Sequence, residues 1–153
     1  MIALGGMLAS PQVARAEQAE RTYRVGWLST SSTRTETYNV AFLGRLRELG
    51  FVEGRNIVIE FRNAEGRIDR LRDLAAELGR GKFDALLAFG SELLLVALKQ
   101  ASRDTPIVIV AADYDPVATG HIASLARPGG RITGVSPLQS ELPAKRLELL
   151  KEL

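Results

Sequence analysis

The chain of 153 residues contains no cysteine and a single histidine, His121. Those two shortages exclude every thiol nucleophile and most zinc sites, which draw their ligands from Cys and His. Without cysteine no disulfide forms, so the chain tolerates an oxidising compartment without proving one. Aromatics are scarce at 6%, and the net charge is only +2. Lys and Arg are mixed with Asp and Glu along the helical segments, so nucleic acid is not an expected partner. GxGxxG, Walker and HExxH patterns are absent, and "GRGKF" (79–83) lacks the spacing of a phosphate loop. With the histidine at 121, no Ser-His-Asp order makes sense. No catalytic residue, metal ligand or cofactor is expected, and the chain reads as a non-enzyme.

What is present begins at the N-terminus. "MIALGGMLAS" is apolar but too short to span a bilayer, and Ala14-Arg15-Ala16 has the small-x-small form of a signal-peptidase site. Residues 1–16 therefore read as a signal peptide. No Lys or Arg precedes the apolar run, so the n-region of the signal is missing and a start upstream of Met1 is the expectation. A frayed or buried N-terminal helix is the plainer alternative. No Cys stands at the cleavage point, so the expected product is exported, soluble and not lipid-anchored. Residues 17–22 read as a short linker, and 23–153 as one α/β unit.

Apolar, β-rich runs occur at 23–29, 56–62, 84–90, 106–112 and 131–136, with helical patterns between them. In the first pattern Phe42, Leu46 and Leu49 share a face, and Gly50 is a natural stop. In the second, Ile68, Leu71, Leu74, Ala75 and Leu78 recur at helical spacing. The third is apolar on nearly every side from Leu93 to Leu98, so it lies deep in the fold or against a second body. The fourth is expected to start at Asp115, which can cap it, with Pro116 in its first turn. The last, "SELPAKRLELLKEL" (140–153), runs off the end. Continuous apolar strands alternating with helices predict a doubly wound, parallel five-stranded sheet of order 2-1-3-4-5, with helices on both faces.

In such sheets ligands bind beyond the carboxyl ends of the strands, where strand order reverses. That point is lined by Ser29, Thr30 and Ser31 after the first strand and by Gly90, Ser91 and Glu92 after the third. Asp113, Tyr114 and Asp115 follow the fourth. Each loop opens a helix, so free N–H groups there would favour an anionic group such as a carboxylate or phosphate. Ser and Thr also cap helices, which is the local explanation for the same residues. His121 reads as a surface or packing residue and Trp27 as core.

"LRELGFVEGRNIVIEFRNAEGRIDRLRDLAAEL" (46–78), "DPVATGHIASLARPGGRITGVS" (115–136) and "AKRLELLKEL" (144–153) together resemble the substrate-binding proteins of an ABC transporter family. The resemblance implies one lobe of a type I periplasmic-binding fold. It also implies a cleft that closes on a small organic solute, such as an amino acid, and a membrane permease as partner. In that family the loop after the third strand usually reads Gly-Thr-Pro-Ala; here it is Gly90, Ser91, Glu92 and Leu93. Ser91 keeps the hydroxyl, but Glu92 puts an acid where the family has proline. That acid could repel a ligand carboxylate or pair with an amine. The family's second lobe is absent from this sequence, so 23–153 reads as the N-terminal lobe, a fragment or an incomplete reading frame. Its exposed apolar face would allow self-association. Two other readings stay open: a single-domain flavodoxin-like protein holding a flavin phosphate in "STSSTRT", and a stand-alone sensor lobe.

Overall fold

A computed structural model of the chain describes residues 21–31 and 33–137. The expected signal peptide (1–16), most of the linker and the last helical pattern (140–153) lie outside those residues.

Five strands form one parallel sheet: β1 (Tyr23–Ser29), β2 (Ile57–Asn63), β3 (Ala85–Gly90), β4 (Ile107–Ala111) and β5 (Ile132–Val135). Their order is β2-β1-β3-β4-β5, as the alternation predicts. β1 sits at the reversal, paired with β2 from Tyr23↔Ile57 to Ser29↔Asn63 and with β3 from Val25↔Ala85 to Leu28↔Ala88. Successive side chains of β1 therefore serve opposite layers. Leu28 joins a core with Leu86, Ala88, Ile107 and Ile109, while Trp27 joins the other with Ile57, Ile59 and Leu87.

Among the described residues, three α-helices cover the sheet: α1 (Thr37–Glu48), α2 (Leu71–Arg80) and α3 (Glu92–Ala101). α1 lies over the Trp27 layer through Phe42, Leu43 and Leu46. Leu49 does not share that face; it stands at the helix C-cap and is exposed. α2 buries Leu71, Leu74, Ala75 and Leu78, whereas Ile68 falls in a preceding 3₁₀ turn and is 62% exposed. The all-apolar third helix has a simple explanation. Leu94, Leu95 and Leu98 are fully buried in the layer shared with α2, and Leu93 is left 46% exposed. Burying each such leucine contributes about 1.5–3 kcal/mol.

The expected fourth α-helix does not form. Asp115 does act as a cap, its Oδ1 accepting the N–H groups of Val117 (2.8 Å) and Ala118 (3.2 Å). One turn later Gly120 takes φ +73°, a left-handed conformation that ends a helix. The segment then returns through turns, with both the His121 and Ile122 N–H groups on the Pro116 carbonyl, and buries Ile122. Cap and proline are genuine start signals, but they are followed too soon by a stop.

Arg131 fastens the end of α3. Its guanidinium donates to the carbonyls of Thr105 (2.9 Å), Lys99 (3.2 Å) and Ser102 (2.5 Å), the last two belonging to the helix terminus whose carbonyls lack partners along the helix. Arg131→Ala is expected to lower stability by about 2 kcal/mol, the scale for charged hydrogen bonds to partly buried acceptors. Urea unfolding checks this; an unchanged midpoint would show that water replaces the guanidinium without cost.

Candidate functional site

The carboxyl ends of β3 and β4, with the first turns of α1, enclose an open hollow of about 520 Å³. It is lined by Tyr38, Phe42, Phe89, Gly90, Val110, Ala112 and Pro137. That size suits a small organic molecule. A second depression, about 460 Å³, lies at the opposite edge near Tyr23, Phe51 and Ala85, where α/β sheets do not ordinarily hold ligands.

The wall of the first hollow is built from the sequence's few aromatics. Phe42 and Phe89 meet edge to face with centroids 5.1 Å apart, and Trp27 packs behind them at 5.6 and 5.2 Å. Phe61 closes the cluster on the far side of Trp27 at 5.4 Å. Each such pair is worth about 0.5–1.5 kcal/mol beyond area burial. The hollow therefore stands on a stiff base. Tyr38 remains 55% exposed at its mouth. Gly90 adopts φ +119°, which only glycine takes readily, and so lets β3 turn sharply into α3 beside the opening.

The residues expected from sequence divide into groups. Gly90 lines the hollow; Ser91 and Asp113 follow the lining residues Gly90 and Ala112 in sequence, and neither they nor Glu92 are among the lining residues. Ser91 caps α3, its Oγ accepting from the Leu93 N–H at 3.3 Å. Asp113 Oδ1 accepts from the Glu92 N–H at 3.3 Å, joining the loops after β3 and β4. Asp115 serves as the turn cap described above.

Ser29, Thr30 and Ser31 are not among the lining residues. Ser29 is buried at the end of β1, and its carbonyl accepts from the Ala64 N–H while that of Thr30 accepts from Gly66. Farther along, the loop bonds to itself: the Thr33 and Thr35 hydroxyls meet at 2.9 Å, and the Thr33 N–H reaches the Glu36 carboxylate. Asn39, fully buried in α1, donates its amide to the Thr33 carbonyl at 2.6 Å. Much of the hydroxyl-rich stretch thus shapes the entry to α1.

Tyr114 turns inward against the core, and its hydroxyl is buried without a hydrogen-bond partner among the described residues. Its phenol is pushed up to about 12, first by burial and then by the Glu92 and Asp113 carboxylates.

His121 is more than a packing residue. Its Nε2 lies 2.8 Å from Glu92 Oε1 and its Nδ1 3.0 Å from Lys99 Nζ, and its ring stands edge-on to Tyr114 at 6.2 Å. A lysine ammonium only donates, so Nδ1 accepts and Nε2 carries the hydrogen offered to Glu92. The turn segment after β4 is thereby tied to the first turn of α3. The lining residues Tyr38, Phe42, Phe89, Val110 and Pro137 were missed by sequence reasoning, whereas Gly90 and Ala112 were placed beside the crevice. The available signal was an aromatic in the first turn of α1 and another just before Gly90. Among the described residues no group of three or more His, Asp or Glu could hold a metal ion, and no helix is long and apolar enough to cross a membrane.

Residues 34–153 match the family described as ABC transporter substrate binding protein. A curated relative, the "Tyrosine-binding protein" of Clostridioides difficile (strain R20291), is 34% identical over 112 residues, which are 73% of this chain and 31% of the relative. Among solved structures, the ligand-free, open form of a substrate binding protein with adhesive properties from Clostridium difficile has TM-score 0.66 and 27% identity. The alignment spans 75% of this chain and 39% of that one. An ABC domain in complex with L-Trp from Streptococcus pneumoniae has TM-score 0.64 and 23% identity, spanning 75% and 38% of the two chains. A conserved domain protein from Vibrio cholerae has TM-score 0.70 and 23% identity, spanning 82% and 43%. The last two likenesses bear on fold alone. The chain spans about a third to two fifths of the length of these relatives. It belongs to the ABC transporter substrate binding protein family.

Proposed function

We propose that the chain forms the N-terminal lobe of a two-lobed receptor that captures a small organic solute outside the cytoplasm and presents it to an ABC permease. The apolar hollow at the carboxyl edge of the sheet carries this reading. A single open wall holds a ligand weakly, and a second wall brought over it would supply the missing burial. The aromatic lining suits a solute with an aromatic or other apolar side chain. A relative named for tyrosine binding points the same way. Export to the periplasm behind a cleaved signal belongs to the same proposal.

The test is calorimetric titration of the protein, purified as its gene encodes it, with L-tyrosine, L-tryptophan and L-phenylalanine. At least one is expected to bind. Tyr38→Ala, at a half-exposed position, is expected to weaken that binding about tenfold or more without unfolding the protein. No heat with any of the three, or wild-type affinity in Tyr38→Ala, would remove the hollow from the account.

A further inference from the structure

The second depression, of about 460 Å³, lies at the amino edge of the sheet, where the parallel strands begin. Its wall is mostly apolar, built from Tyr23 and Ile57 at the starts of β1 and β2, Leu46 in the last turn of α1 and Phe51 just beyond it. Tyr23 and Phe51 meet edge to face with centroids 5.6 Å apart, and both are half-buried. A smaller cavity adjoins it, sharing Leu46, Phe51 and Ile57.

The charges around this surface are one-sided. Each nearby carboxylate has an arginine of its own: Asp84 pairs with Arg21, Glu48 with Arg45 and Glu53 with Arg34. The cations left over are Arg47, Arg55 and Lys82, all exposed and without an acidic partner among the described residues. Arg47 lines the smaller cavity. Arg55 belongs to the turn that joins Phe51 to Ile57, a turn closed by Asn56, which accepts from the Val52 N–H at 2.7 Å and donates to the Gly50 carbonyl at 2.8 Å. Lys82 stands two residues before Asp84, which lines the depression.

The N-terminal segment joins the lobe at the same place. Arg21 lines the depression and Tyr23 begins β1, so the apolar run "MIALGGMLA" (1–9) is tethered to this face. A bilayer that takes up that run lies close to this edge. Anionic headgroups match the unpaired cations, and half-buried aromatics suit the interfacial layer beneath the headgroups. A second copy of the chain would set like charges against each other.

We infer that the amino edge of the sheet docks on an anionic bilayer surface, with Arg47, Arg55 and Lys82 on the headgroups and the Tyr23–Phe51 depression against the layer below them. The solute hollow, at the carboxyl edge, is then turned away from that bilayer and stays open to solution. The inference goes beyond the receptor reading and uses no residue of the hollow.

The test is cosedimentation of the protein, as its gene encodes it, with two kinds of vesicle: pure phosphatidylcholine, and phosphatidylcholine mixed equally with phosphatidylglycerol. Partition onto the anionic vesicles is expected to be about tenfold or more the stronger, and to be lost in about 1 M salt, where charges are screened beyond about 3 Å. Two double variants then carry the same change of net charge. Arg47→Glu/Arg55→Glu is expected to weaken anionic binding about tenfold or more. Arg67→Glu/Arg72→Glu, which reverses exposed arginines at the start of α2, is expected to weaken it less than about threefold. Circular dichroism verifies that both are folded. Equal binding to the two vesicles, no loss in Arg47→Glu/Arg55→Glu, or an equal loss in both double variants overturns the inference. Binding to neither vesicle overturns it too, and a dimer in sedimentation velocity would then assign the face to a second copy.

Discussion

Trp27→Ala is expected to lower folding stability by about 4 kcal/mol, the range for truncating a large buried aromatic. Trp27 is fully buried in the interior strand β1, with Phe42, Phe61 and Phe89 packed edge-on around it. Removing the indole leaves a cavity beneath the wall of the hollow, because α1 and β3 would both have to shift to fill it. Trp27→Phe separates volume from chemistry. The indole Nε1–H has no hydrogen-bond partner among the described residues, so phenylalanine loses volume but also removes an orphaned donor. Its cost is expected to be less than half that of alanine. Equilibrium urea unfolding of the two variants measures both. A Trp27→Ala loss under about 1 kcal/mol would mean that the cluster is not the close-packed support described here.

The second large effect is steric. Gly79 lies in the last turn of α2, where a Cβ would stand 2.2 Å from the Ala101 carbonyl oxygen and 2.9 Å from the Ala101 Cβ. Gly79→Ala therefore forces α2 and α3 apart and is expected to cost about 3 kcal/mol, although alanine is the better helix former. The obstacle is backbone, so adding Ala101→Gly is not expected to restore stability. Denaturant midpoints of the single and double variants decide it; a Gly79→Ala protein as stable as wild type would show that the helices pack less closely than described.

The layers were legible because their causes are local and repetitive. Each strand was an apolar run bounded by polar or turn residues, and the observed limits, such as Ala85–Gly90 against 84–90, differ by a residue or so at either end. Alternation with helical patterns then left few topologies, and the right-handed crossover rule leads to the order found. The third helix was harder to place. Leu94, Leu95 and Leu98 are buried because α3 lies under α2 as well as on the sheet, and a helix read alone does not reveal its second neighbour.

The site was less legible. Hydroxyls after β1 looked like ligand donors, but the Thr33–Thr35 pair and the Glu36 and Asn39 bonds use that loop to start α1. Asp115-Pro116 looked like a helix start, and the left-handed Gly120 stops it after one turn. The same break lets the chain bring His121 back to Glu92, 29 residues away in sequence, a contact that no spacing rule anticipates. Most of the lining was missed because aromatic side chains in an apolar pattern read as core. Only the assembled sheet edge leaves Tyr38, Phe42 and Phe89 facing an opening rather than a neighbour.

The central claim is that a small solute sits in the hollow between α1 and the ends of β3 and β4. Its most direct test is a crystal structure of the protein grown with the tightest-binding of the aromatic amino acids named above. The account predicts ligand density against Phe42 and Phe89 at carbon–carbon distances of about 4 Å. An empty hollow beside a ligand fully bound elsewhere in the molecule would contradict it.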